Sequence, residues 1–263
     1  IDYSSDTDTA SPKGNLSLAK RWLSATGNSS YGYYNGGNTS SDVSSVDRID
    51  FSSDTSTAAP KGTLSANKRW PMATGNASYG YVGGGEPAPA PAYTYSTIDR
   101  IDYSNDTATA SPKGYLNAAR AWPGSTGNAS YGYWGGGNGP LSSVDRVDYN
   151  NDTATASPKG NLSLSKKWLT ATGNSSYGYY AGGNTGSDIS SVDRIDFSSD
   201  TSTAAAKGPL SSAKRWVMST GNQSYGYVGG GEPPSVTTMN RIDYASDTGT
   251  TPTKGELTEA RYG

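Results

Sequence analysis

The chain has 263 residues, contains no cysteine and no histidine, and carries a formal net charge of −2. These absences exclude disulfides, zinc fingers, thiol nucleophiles, Ser-His-Asp triads and histidine-ligated metal centres. The near-neutral charge argues against a nucleic-acid partner, no apolar run reaches the roughly 20 residues of a membrane span, and no cofactor is expected.

The core must come largely from aromatic side chains. Leu, Ile, Val and Phe make up only about 11% of the chain, below the roughly 20% under which a chain is usually read as disordered. High net charge, the other mark of a disordered chain, is missing, and there are 20 tyrosines and 6 tryptophans. We therefore expect a folded chain that packs through its aromatic rings.

The chain repeats a unit of about 48 residues. An Ile/Val-Asp-Tyr/Phe motif begins at residues 1, 49, 101, 147, 195 and 242, and a Tyr-Gly-Tyr motif recurs five times. Segments 15–34 and 161–180 differ at three of twenty positions, which indicates a duplicated block of three units. Short aromatic segments between turn residues are typical of β-strands.

Each unit is predicted to hold four strands and no helix. A turn at 27–30 separates the first two strands, and a glycine pair ends the second. In the third strand, alternation places Asp47 and Arg48 on opposite faces. The strands predicted for the first complete unit are 19–26, 31–34, 45–51 and 57–59.

Four antiparallel strands in about 48 residues match a β-propeller blade, whereas the coils of the rival solenoid fold are usually shorter. The sequence therefore predicts one all-β domain over residues 1–263, a kelch-like β-propeller of six four-stranded blades. The two termini share the last blade, which lacks one hairpin. The predicted boundaries are a half-blade at 1–18, complete blades at 19–66, 67–118, 119–164, 165–212 and 213–258, and a partial strand at 259–263.

An incomplete blade leaves strand edges exposed. We expect a neighbouring chain or a C-terminal extension to cover them, so that the open blade is a route to an oligomer. The first residue is Ile1 rather than Met, and we expect the chain to be processed or to be part of something longer.

The repeat resembles the kelch family. Its second strand ends in a glycine pair, as at residues 36–37 and 182–183, and its third strand runs into a turn, as in IDYSNDT at 101–107. Kelch repeats place a tryptophan after that turn, whereas here the tryptophan lies in the first predicted strand. The resemblance covers the whole chain and implies a propeller.

The units are more closely similar to tandem-repeat proteins encoded by marine bacteriophages, especially those that infect cyanobacteria. The segments DRIDYSNDT at 99–107 and YGYVGGG at 225–231 carry this similarity. Those proteins look like virion or tail-fibre components. The resemblance therefore implies a phage particle protein, located on the virion or outside the cell.

Two aspartates four positions apart recur in every unit, as at Asp102 and Asp106. Clustered carboxylates could bind calcium, which is one alternative. The other is a turn in which the side chains bond backbone N–H groups. We favour the turn because it needs no partner in any copy. For the Asp-Arg pairs, such as Asp47 with Arg48, we expect salt bridges between blades.

Pairs of basic residues, Lys20-Arg21 and Lys68-Arg69, each precede a tryptophan at the start of the first strand. That strand is innermost in a propeller, so these cations are candidates for binding an anionic glycan at the channel mouth. The alternative, which we favour, is that each tryptophan packs between blades and each cation pairs with a nearby aspartate.

Aromatic residues that break the repeat are further candidates for ligand binding. Loops on a rigid scaffold often carry binding, and exposed aromatic rings anchor interfaces and stack on sugars. The alternative is that these rings only cover the rim of the propeller. The candidates are Tyr34, Tyr93, Tyr95, Trp134 and Tyr180.

These features favour a non-enzymatic binding or structural module that recognises a host-surface glycan or a neighbouring virion protein. One alternative is a polysaccharide-degrading enzyme that uses loop carboxylates. Every carboxylate pair is repeated in each unit, however, whereas an active site is expected to be unique. The other alternative is a purely architectural scaffold.

Overall fold

The computed structural model describes residues 1–87 and 94–262, which form five antiparallel sheets of four strands each. Within each sheet the strands lie side by side in chain order. No helix in this part of the chain is long and apolar enough to cross a membrane. The strands, sheet by sheet, are β1 Ser24–Gly27, β2 Tyr31–Asn35, β3 Ser45–Asp50 and β4 Ala59–Thr63; β5 Met72–Gly75, β6 Tyr79–Gly83, β7 Thr97–Asp102 and β8 Ser111–Tyr115; β9 Gly124–Gly127, β10 Tyr131–Gly135, β11 Val144–Asp148 and β12 Ser157–Pro158; β13 Thr170–Gly173, β14 Tyr177–Ala181, β15 Val192–Asp196 and β16 Ala205–Lys207; and β17 Met218–Gly221, β18 Tyr225–Gly229, β19 Thr238–Asp243 and β20 Thr253–Glu256.

The sheets are the blades of a propeller. Their first strands pack on one another in sequence, β1 on β5, β5 on β9, β9 on β13 and β13 on β17. The first strand of each blade is therefore the innermost, and the five blades surround a common axis. The predicted all-β propeller is confirmed.

The prediction of six blades is wrong, because the propeller has five. Residues 1–18 contain no β-strand, since no strand among the described residues pairs with them in a ladder. They lie between the fifth and first blades instead. The Gly255 amide donates to the Asp6 carbonyl at 2.8 Å, and the Gly14 amide donates to the Asp54 carbonyl at 2.7 Å. This N-terminal segment bridges two blades without forming one.

Two strands of the first blade differ from the prediction at their ends. The innermost strand begins at Ser24 rather than at residue 19, because the backbone of Trp22 has a φ of 60° and cannot be part of an extended strand. The fourth strand covers Ala59–Thr63 rather than 57–59. Both hairpins of the unit form as expected.

Neighbouring blades pack through a threonine, a glycine and an aromatic ring. A Cβ atom on Gly80 would lie 2.6 Å from Thr26 Cγ2 and 2.8 Å from Tyr103 Oη, so only glycine fits there. The Thr26 and Tyr103 hydroxyls are hydrogen bonded at 3.0 Å. The Tyr103 ring also stacks on Tyr33 with centroids 4.6 Å apart. The glycine of the Tyr-Gly-Tyr motif thus permits the close approach of two blades.

An aspartate at each interface links one blade to the next, in a cluster that we call the aspartate node. Asp106 accepts hydrogen bonds from Tyr33 Oη at 2.9 Å and Arg48 Nη1 at 2.7 Å, and Lys61 Nζ lies 3.4 Å away. The salt bridges predicted between blades are therefore confirmed for the arginines. The aspartates that repeat this cluster are Asp152, Asp200, Asp247 and Asp6.

The first aspartate of each pair caps a turn. Asp102 Oδ1 accepts from the Ser104 hydroxyl at 2.7 Å and from the Ser104 amide at 2.9 Å, and these bonds lower the pKa of Asp102. The turn interpretation is confirmed for the first aspartate of each pair, whereas the second aspartate belongs to the node. Within residues 1–87 and 94–262, no group of three or more acidic side chains is arranged to hold a metal ion.

Breaking one node should destabilise the protein. We expect Asp152→Asn to lower the free energy of unfolding by about 2 kcal/mol, because Tyr81 and Arg100 lose a charged acceptor. The matched control is Asp54→Asn, whose carboxylate has a salt bridge only to the half-exposed Lys13 among the described residues. That variant should lose less than about 1 kcal/mol. Urea unfolding measures both, and equal losses would contradict the role of the node.

The nodes should also make stability depend on alkaline pH. Burial, followed by the hydrogen bond and charge of Asp6, raises the pKa of Tyr227 from 10.0 to about 12. Between pH 10 and 12 the unfolded chain loses this proton while the folded chain keeps it, so stability falls as pH rises. We expect the decline, followed by urea unfolding at each pH, to be shallower in Tyr227→Phe. Identical slopes would contradict the assignment.

Candidate functional site: a tryptophan-lined cavity on the propeller axis

A tryptophan lies two residues before the innermost strand of each blade. Neighbouring rings contact one another around the axis, with centroids 4.5, 4.7, 5.8 and 5.2 Å apart in sequence. The Tyr262 ring continues the series and stacks on the last tryptophan at 5.6 Å. We call the five residues the tryptophan arc: Trp22, Trp70, Trp122, Trp168 and Trp216.

The backbone of the arc is strained. All five tryptophans have a φ between 52° and 60°, and they are the only residues other than glycine with positive φ in the described part of the chain. This left-handed conformation costs an L-residue about 1–2 kcal/mol. Backbone hydrogen bonds help to hold it, since the Trp70 amide donates to the Trp22 carbonyl at 2.8 Å. Strain of this kind concentrates at functional sites.

The arc surrounds a cavity of about 180 Å³ on the axis. An apolar cavity of about 150 Å³ holds a benzene molecule, so this one is large enough for a single ring-sized group. Its walls are the tryptophans and the first residues of the five innermost strands. The other lining residues are Leu23, Ser24, Ala25, Tyr34, Pro71, Met72, Ala73, Pro123, Ser125, Leu169, Thr170, Ala171, Val217, Met218 and Ser219.

Two hydrogen-bond donors in the arc have no partner. The indole Nε1 atoms of Trp122 and Trp168 are buried and make no hydrogen bond to the described residues. Buried donors are normally satisfied, because an unmade bond costs about 1–3 kcal/mol. Because both atoms are shielded from solvent, an acceptor in the cavity reaches them only if the surrounding side chains shift.

Cations cover the outer side of the arc. Arg21 lies 3.9 Å above the ring of Trp22, and Lys167 lies 4.0 Å above the ring of Trp168. Both are cation–π contacts. Arg69 and Arg215 lie over their own tryptophans in the same way, at 4.4 and 4.9 Å.

Two of these four cations are neutralised and two are not. Arg69 pairs with Glu86 at 3.2 Å, and Arg215 pairs with Asp188 at 3.0 Å. Burial raises the pKa of Glu86 despite this pairing. Arg21 and Lys167 have no salt bridge among the described residues. Arg21 and Lys167 are therefore the two cations over the arc that no described carboxylate pairs with.

The basic residue that precedes each rim cation has a different environment. Lys20 and Lys68 are fully buried, and their Nζ atoms lie 3.3 and 2.9 Å from Asp47 and Asp99. Burial lowers the pKa of Lys20, and the charge of Asp47 opposes this effect. Of the four predicted cations, only Arg21 and Arg69 therefore face the rim. The other two stabilise the blades, as the alternative interpretation expected.

The predicted aromatic residues do not form one group. Tyr34 is half-buried and lines the cavity. Trp134 and Tyr180 are fully buried, because each inserts between blades against a glycine, Gly83 or Gly135. They offer no face to a ligand in this structure.

The remaining two aromatic candidates belong to the longest loop. Tyr95 is half-buried, and its ring lies 5.4 Å from Lys68 Nζ, away from the cavity lining. Tyr93 lies outside the described residues. The arc itself, which the sequence interpretation treated as packing, was signalled by the recurrence of one tryptophan at the same position of five units.

Two adjacent lysines in the fourth blade, Lys166 and Lys167, are expected to contribute differently to stability. Lys166→Met should lower the free energy of unfolding by about 3–5 kcal/mol, because it leaves Asp193 buried without a cation. Lys167→Met removes only a cation–π contact at the rim and should cost about 1 kcal/mol or less. Urea unfolding distinguishes the two, and similar losses would contradict this division.

No family model matches the chain, and no curated protein matches it. Among solved structures, YjhT is similar to this chain with a TM-score of 0.79 at 10% sequence identity. The similarity covers 95% of this chain and 88% of YjhT. At this identity it shows the β-propeller fold alone, so the kelch type and the phage origin stay predictions.

Proposed function

We propose that the protein is a non-enzymatic binding module that holds one terminal, anionic sugar residue of a glycan in the tryptophan-lined cavity. The observation that carries the proposal is the arc of five tryptophans in a strained backbone conformation around one ring-sized space. Aromatic faces supply flat, apolar contact area, and a few polar groups then fix the orientation of the ligand.

The polar groups at the cavity suit a sugar with a carboxylate. The unpaired indole N–H groups of Trp122 and Trp168 can donate to hydroxyl or carboxylate oxygens once the side chains around them shift to admit the ligand. Arg21 and Lys167 provide positive charge at the rim without a competing salt bridge among the described residues. Their field attracts an anion and should make binding weaken as salt concentration rises.

The carboxylates around the cavity favour binding over hydrolysis. A glycosidase needs an acid and a second carboxylate that face the scissile bond. Here Glu86 is held by Arg69 and Asp188 by Arg215, so neither is available to a substrate. This arrangement supports a module that retains its ligand unchanged.

A phage virion or tail fibre is the setting that we propose, with a host-surface glycan as the partner. Its support is the resemblance of the repeat units to phage-encoded tandem repeats, carried by segments 99–107 and 225–231. In this setting the protein would act on the virion, outside the cell.

The proposal is tested with two oligosaccharides that differ only in their terminal residue, glucuronic acid or glucose. We expect the glucuronic acid form to bind more tightly, to lose affinity as salt is added, and to change tryptophan fluorescence. Trp168→Leu should weaken binding at least about tenfold, because it removes one wall and one N–H donor of the cavity. Isothermal titration calorimetry measures each affinity.

The matched control is Trp134→Phe, which alters a fully buried tryptophan outside the cavity lining. It should bind as the unaltered protein does. Absence of binding by both oligosaccharides, and by an array of host-derived glycans, would refute the proposal. Equal affinity of Trp168→Leu and Trp134→Phe would refute the placement of the site.

A further inference from the structure

The same seven-residue sequence, Phe-Ser-Ser-Asp-Thr-Ser-Thr, occurs at 51–57 in the first blade and at 197–203 in the fourth. In the fourth blade the hairpin β9–β10 of the preceding blade covers it. The Tyr133 ring stacks on Phe197 with centroids 4.6 Å apart, and Tyr133 Oη donates to Asp200 at 2.8 Å.

Among residues 1–87 and 94–262, no such hairpin covers the copy in the first blade. Phe51 is 51% exposed, and the side chain of Asp54 is 39% exposed compared with 7% for Asp200. The salt bridge of Asp54 to Lys13, at 3.2 Å, replaces the full node found elsewhere in the described chain. Since the two sequences are identical, the difference comes from the missing neighbour rather than from the segment itself.

The facing wall of the fifth blade offers the other half of an interface. In the second blade, the space above Gly83 is filled by Trp134 of the next blade. At the equivalent Gly229, the nearest side chains belong to its own blade, Met239 and Leu257. Gly229 is half-buried, and no described side chain from another blade lies against it as Trp134 lies against Gly83.

The opening between these two walls is closed on its outer side. Asp6 of the N-terminal segment accepts from Tyr227 and Arg241 of the fifth blade, each at 2.8 Å. The Tyr3 ring also stacks on Tyr227 at 5.3 Å. Near the axis, β17 and β1 do not pack together as the other innermost strands do within the described residues.

We infer that this opening, the wedge between Gly229 and Phe51, is a docking surface for a β-hairpin of a different protein. The second strand of that hairpin carries a tyrosine, which stacks on Phe51 and donates to Asp54, followed by a large apolar side chain that covers Gly229. A glycine after these two residues receives Tyr34, as Gly135 receives Tyr180. The hairpin remains part of its own chain, and the five blades described above are unchanged.

The way in which the chain's own hairpins contact their two neighbours shows what kind of hairpin fits the wedge. In the third blade, Tyr133 contacts the following blade while Trp134 covers Gly83 of the preceding one. One hairpin therefore engages both neighbours through consecutive residues. A hairpin with this Tyr-Trp-Gly order matches both walls of the wedge at once.

The probe is a synthetic peptide with the sequence of residues 120–137, closed by a disulfide between added terminal cysteines and labelled with a fluorophore. The disulfide reduces the conformational entropy that the peptide loses on binding, since an isolated hairpin is only marginally stable. We expect saturable binding by fluorescence anisotropy. A peptide with Tyr133→Ala should bind at least about tenfold more weakly, because it loses the ring on Phe51 and the hydroxyl on Asp54.

Two protein variants with matched exposure locate the binding surface. Phe51→Ser should weaken peptide binding at least about tenfold, whereas Tyr115→Ser, which alters a ring 53% exposed on the outermost strand β8, should leave it unchanged. No saturable binding, or equal affinity of the two variants, would overturn the inference. Oligomers of the protein alone that the peptide dissociates would also overturn it and would identify a second copy as the occupant.

Discussion

The propeller depends on one cluster of buried charge, the aspartate node. A carboxylate inside a protein is unfavourable unless donors surround it, and at each node a tyrosine hydroxyl, an arginine and a lysine supply them. These donors come from the preceding blade and the carboxylate from the following one. The node therefore fixes the distance and the angle between neighbouring sheets, and thereby the position of every innermost strand around the axis.

The repeated units that form the nodes also form the cavity. Residues that differ between the units make the cavity asymmetric. The third blade has Ala121 where its neighbours carry a rim cation, and the C-terminal end contributes Tyr262 in place of a further tryptophan. Carboxylates neutralise two of the four rim cations. A symmetric set of blades thus surrounds an asymmetric cavity.

The sequence predicted the repeat, the four strands of each blade, the turns and the ion pairs, because these follow from local spacing. It did not predict the number of blades, since residues 1–18 carry the motif of a half-blade but lack a neighbouring strand to pair with. The sequence also did not predict which of the candidate aromatic side chains are buried. Tyr34, Trp134 and Tyr180 occupy equivalent positions, yet only Tyr34 lines the cavity, because the preceding neighbour that buries the other two is missing beside the first blade.

The distinction between Lys20 and Arg21 shows the same limit. Both are basic, and their adjacency in the sequence suggests one shared role, but Lys20 pairs with Asp47 whereas Arg21 lies over the ring of Trp22. One charge becomes part of the interior and the other part of the rim. Only the three-dimensional path of the chain separates them.

The bridge made by the N-terminal segment also sets an order for folding. Arginine and aspartate in the ordinary nodes are 52 to 58 residues apart, whereas Arg241 and Asp6 are 235 apart. Loop-closure entropy grows only logarithmically, so forming this contact directly from the unfolded chain would cost about 1.3 kcal/mol more than forming the others. It cannot form during synthesis until the last repeat has emerged, while each earlier blade can dock on its predecessor. We therefore expect the blades to dock one after another and the contact between Asp6 and Arg241 to form last.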